Sequence, residues 1–117
     1  MSQTARFQDT LRWLVIFDEG LVDAGFGLGR AGASALDAKT AALLQVAVSV
    51  AIGSSAVCLQ WGTARALAAG ATKDEIADVL LAIVPVAGLG RVVSAAPGVA
   101  AALEYDIEAA LEEPDNY

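Results

Sequence analysis

Residues 54–81 read SSAVCLQWGTARALAAGATKDEIADVLL. Ser54 or Ser55 is placed to cap a helix that runs to Ala69, and Gly70 is its stop. Thr72 and Glu75 stand three apart, the spacing of a capping box, so a second helix starts at Lys73. Apolar residues recur at three and four, not at two, and β-branched runs are absent. The stretch therefore predicts a helix, a tight turn and another helix.

The pattern continues on both sides. Upstream, Asp37 stands as an N-cap before AKTAALLQVAVSVAI, a run apolar nearly all round, as in a central buried helix, with Gly53 as its stop. Residues 4–22 place Phe7, Leu11, Leu14, Val15, Leu21 and Val22 at helical spacing. Between them, AGFGLGRAGAS (24–34) carries four glycines and reads as a connection. No strand precedes it and its spacing is not that of a dinucleotide-binding loop. Downstream, Pro85, Gly88 and Gly90 should break or kink the helix that starts at Lys73. Pro97 suits the first turn of a last helix ending near Glu113, before Pro114. The expected fold is all-α: a single-domain bundle of five or six helices over residues 1–117.

Composition narrows the function. Apolar residues make up 56% of the 117, with 26 alanines, above the usual ~45–50%. A short chain this apolar is expected to bury surface between subunits. The net charge of −7 argues against nucleic acid and anionic membranes as partners. The longest apolar runs, near 43–53 and 79–90, fall short of the ~20 residues that span a bilayer. The N-terminus is polar, so a cytoplasmic location is expected. With no histidine and one cysteine, a metal site and an intrachain disulfide are not expected, nor is a cofactor. Six acids between Glu104 and Asp115 make 104–117 an acidic helix end and tail.

At ALAAGATKDEIADVLL the chain resembles the carboxymuconolactone decarboxylase family, which includes the alkylhydroperoxidase-like proteins. Leu36, Asp37, Lys39 and Thr40 opening the central helix, then Gly70-Ala71-Thr72 followed by Glu75-Ile76, carry the resemblance over about 36–103. It implies that family's helical fold, assembly into trimers or hexamers, and an active site near the N-terminal half of the helix holding Cys58. Redox members carry C-x-x-C-x-x-x-H. Here those positions are Ser55, Cys58 and Gly62, so the motif reads S-x-x-C-x-x-x-G. The acid that redox members keep on the preceding helix falls at Ala42 or Leu43. The chain resembles a divergent branch without the dithiol.

Three readings of the site follow. A family enzyme could act on a small anionic or lactone-like metabolite, a lyase, hydrolase or isomerase without redox chemistry. Such chemistry needs a cation to hold carboxylate and a group to move protons. Ser55, Cys58, Gly62 and Arg65 share one helix face; Cys58 and Arg65 are the catalytic candidates, with Ser55, Trp61, Gly62 and Arg91 as ligand-binding candidates. Each has a plainer reading: a core cysteine at 58, packing for Trp61, close helix approach at Gly62, a solvated or intersubunit salt bridge for Arg65, and an ion pair for Arg91 with Asp18, Glu19 or Asp78. Lys39 reads as a surface lysine or as a proton-transfer group. The second reading is an inactive binding or assembly module, the third a hydroperoxide reductase using Cys58 alone.

Overall fold

The computed structural model describes residues 3–16 and 35–112. The chain divides into two units, Met1–Ala35 and Leu36–Tyr117. The first contains α1 (Gln3–Ile16). The second contains α2 (Ala38–Ala51), α3 (Ala56–Ala68), α4 (Lys73–Ala87), α5 (Leu89–Ala102) and the short α6 (Ile107–Leu111). Among the described residues the secondary structure is helical throughout. The expected connection at 24–34 lies outside them.

Each helix start in the second unit except that of α5 has a side-chain cap. Asp37 Oδ1 accepts from the Thr40 amide at 2.7 Å, and Ser55 Oγ from the Cys58 amide at 3.3 Å. Thr72 Oγ1 accepts from Glu75 N at 3.0 Å while Glu75 Oε1 accepts from Thr72 N at 2.9 Å, completing the capping box. Asp106 Oδ1 accepts from Ala109 N at 3.0 Å.

Three helix ends share one device. After α2, α3 and α5 the chain turns through a positive φ, at Gly53, Gly70 and Glu104. In each, the following amide bonds back to the helix: Ser54 N to Ser49 O, Ala71 N to Ala66 O and Tyr105 N to Ala100 O, each at 3.0 Å. These are Schellman ends, where glycine costs nothing sterically and a glutamate does.

The core lies between α2, α3, α4 and α5. Val46 and Val50 meet Leu59 and Ala66, Ile76 and Leu80, and Val92, Ala95 and Val99. α3 packs mainly on α2 and α5, and α2 also packs on α4. Gly98 brings α5 close to α3: a Cβ there would sit 3.3 Å from Leu59 Cδ1 and 3.6 Å from Ala56 Cα.

The break expected at Pro85, Gly88 and Gly90 falls at Gly88: α4 runs through Pro85 to Ala87 and ends there, and Gly90 lies inside α5. Pro97 needs correction, since it lies inside α5 rather than in the first turn of a last helix. Proline removes the bond to the carbonyl four residues back. Those carbonyls belong to Leu81 and Val93, and Leu81, Pro85, Val93 and Pro97 are all exposed, so water can take the freed acceptors.

Candidate functional site

The phase of α3 sorts its side chains. Leu59, Thr63 and Ala66 are buried against the core. Cys58, Trp61 and Arg65 project from the exposed side, one and two turns apart. Gly62 lies at the margin between the two faces, half-buried.

Cys58 is a free, exposed thiol. The expectation of a core cysteine fails because the buried stripe passes through Leu59, and Cys58 lies about 100° round the helix from it. Ser55 is spent on capping the helix, its oxygen facing the Cys58 amide. A Cβ on Gly62 would meet nothing within 4 Å. The position is therefore open within one chain, unlike Gly98, where the partner helix leaves no room.

Arg65 lies over the Trp61 ring, its Cζ 4.8 Å from the centroid. A stacked guanidinium uses its face, and its N–H edge stays available for a bidentate acceptor. Its place in the last turn of α3 also suits the helix dipole. Ala42 is buried at 7% exposure and Leu43 packs on the core, so no acid faces Cys58 from those positions.

Arg91 does not join this face. It lines a cleft of about 460 Å³ with Gly53, Ser54, Gly90, Ser94 and Ala95. The guanidinium lies against Gly53, in space that a side chain there would occupy. Arg91 is exposed, so the cost of a buried charge does not arise, and among the described residues no carboxylate pairs with it, Asp78 included. Asp18 and Glu19 lie outside those residues. Lys39, read as a surface lysine or proton-transfer group, is part-exposed and ion-paired: Nζ stands 2.9 Å from Glu75 Oε2. That bond raises the Lys39 pKa.

Sequence reading passed over two groups. Ser94 is three residues beyond Arg91, so it shares that face of α5; the spacing was the signal. Thr63, fully buried with no hydrogen-bond partner for its hydroxyl, follows the 59–63–66 phase of the core stripe. Among the described residues no group of three or more metal-ligating side chains is assembled, and no helix is long and apolar enough to cross a membrane.

No curated protein and no solved structure matches the chain. The model of the carboxymuconolactone decarboxylase family matches residues 8–102. With that match covering most of its length, the chain belongs to the carboxymuconolactone decarboxylase family.

Proposed function

We propose that this protein acts on a small anionic or lactone-like metabolite, without redox dithiol chemistry, at the exposed face of α3. The observation that carries this reading is a set along α3: a lone thiol at 58 in its first turn, open space at Gly62 and a guanidinium at 65 in its last turn. A dithiol cycle closes a disulfide between two cysteines and uses a base to form thiolate. With one cysteine and no histidine in 117 residues, the chain supplies neither the second thiol nor an imidazole. The same positions suit a carboxylated substrate. Arg65 offers a planar fork to a carboxylate, Trp61 offers a flat wall, and Cys58 is the group of this set able to exchange a proton.

The test is a thermal-shift screen of small carboxylates and lactones. A ligand at a hundred times its Kd stabilises by about 2.7 kcal/mol, enough to see. Gly62→Leu fills the open space and Arg65→Ala removes the fork; both should fold and lose the shift. A shift retained in both variants, or none with any ligand, contradicts the reading.

Self-association into a trimer or hexamer belongs to the same proposal. Leu44 and Val48 on α2 and Ile52 at its C-cap, each one turn apart, are 51%, 57% and 67% exposed, an apolar stripe of the kind that subunit contacts cover. Light scattering that gives a monomer at micromolar concentration would remove this part.

A further inference from the structure

We propose that the cleft between the α2–α3 turn and the first turn of α5 binds the carboxylate of a small metabolite, with Arg91 as its cation and Ser54 and Ser94 as hydroxyl donors. This site is separate from the α3 face and does not rest on the function proposed for it.

Four observations converge. First, Arg91 is a cation with no acid partner among the described residues, although the chain carries 14 acids against 7 bases. Second, the space it occupies beside the turn is left open by a glycine. The side chain crosses from α5 to lie on Gly53, where φ is +75° and a Cβ would collide with the guanidinium. Glycine thus serves both the Schellman turn and the close approach of the arginine.

Third, the cleft presents donors. Ser54 and Ser94 line it beside Arg91. Gly90 and Arg91 sit in the first turn of α5, where backbone amides have no carbonyl one turn back within the helix. Fourth, the volume, about 460 Å³, falls within the roughly 300–1,000 Å³ of small-molecule sites. A bare surface arginine would have none of these companions.

Charge selects the ligand class. The cleft holds one cation and no acid, which matches a single carboxylate with a bidentate fork. A phosphate dianion would leave one charge unmatched in a chain already at −7. Arg65 is not an alternative holder of this ligand, because it belongs to α3's other face, stacked on Trp61.

The experiment is a titration of the full chain with acetate, succinate and inorganic phosphate, followed by amide chemical shifts. Saturable shifts should centre on Gly53, Ser54 and residues 90–94 with the carboxylates, and more weakly with phosphate. Losing a charged bidentate contact weakens binding by roughly tenfold or more, so Arg91→Gln should do so. Ser94→Ala, an exposed and conservative change, should weaken binding several-fold. Arg65→Gln should leave the shifts at Gly53, Ser54 and residues 90–94 unchanged.

Unchanged binding in Arg91→Gln, phosphate binding tighter than the carboxylates, or no saturable shift at these amides would overturn the proposal. Shifts confined to Trp61 and lost in Arg65→Gln would also overturn it, while supporting the function proposed for α3. Failure of the lactone and carboxylate screen at Gly62 would leave the Arg91 cleft standing.

Discussion

Lys39 and Glu75 join the starts of two helices through one carboxylate. Glu75 Oε2 accepts from Lys39 Nζ at 2.9 Å while its Oε1 accepts from the Thr72 amide at 2.9 Å. The first turn of α2 is thus tied to the capping box of α4. The Thr72 amide, and then Lys39, hold the Glu75 pKa below its usual 4.5. Hydrogen bonding to Glu75 holds Lys39 above its usual 10.5.

The pair has a pH signature. A depressed carboxylate stabilises fully above its unfolded pKa and loses that contribution as pH falls through the folded value. A raised lysine stabilises fully below its unfolded pKa and loses its contribution as pH rises through the folded one. Both act together between about pH 5 and 10. Glu75→Gln keeps a capping-box acceptor but removes the charge. Urea unfolding should show it less stable than wild type at pH 7, with a smaller gap at pH 3. A gap of equal size at both pH values would contradict this.

Glu104 holds the one positive φ of a non-glycine among the described residues, +60°. Its Schellman turn is the same as those at Gly53 and Gly70. The left-handed conformation costs an L-residue about 1–2 kcal/mol, and glycine's extra chain entropy returns part of that. Glu104→Gly should therefore raise unfolding stability by about 0.5–1 kcal/mol. A loss in denaturant melts would show that the Glu104 side chain makes a contribution larger than the strain.

Thr63 is fully buried and its hydroxyl has no partner. An unmatched buried hydroxyl costs about 1–3 kcal/mol, and valine has nearly the same shape. Thr63→Val should stabilise by roughly 1 kcal/mol, read as a melting temperature higher by roughly 4 °C. A lower melting temperature would mean that the hydroxyl finds a partner in solution.

Cys58 is exposed and free. One equivalent of thiol should react with a disulfide reagent in the native protein at the same rate as in denaturant, within about tenfold. Cys58→Ala should change stability by less than about 0.5 kcal/mol, as for surface sites. A thiol that reacts only on unfolding would place a covering surface over this face of α3.

The caps and turns were legible because they are local. Asp37, Ser55, Thr72 and Glu75 act over three residues, and Gly53 and Gly70 over one, so type and spacing suffice. Pro97 misled for the same reason. A proline suits a first turn locally, but packing of α5 on α3, tight at Gly98, carries the helix through it. The core reading of Cys58 fails on helical phase: the 59–63–66 stripe takes Leu59 into the core and leaves Cys58 outside it. The Arg91 cleft was not legible. It joins a turn at 53–54 to a helix face at 90–95, some forty residues apart, and no local rule connects them.

The function proposed for this family member is turnover of a small carboxylated or lactone-like substrate without thiol redox chemistry. Its most direct test is consumption of carboxymuconolactone and related carboxylated lactones, followed by chromatography with no thiol reductant or peroxide present. Wild type should consume at least one of them, and Gly62→Leu, folded and assembled, should be slower by roughly tenfold or more, as for a misplaced substrate. No lactone consumption, together with hydroperoxide reduction that is lost in Cys58→Ala, would contradict it.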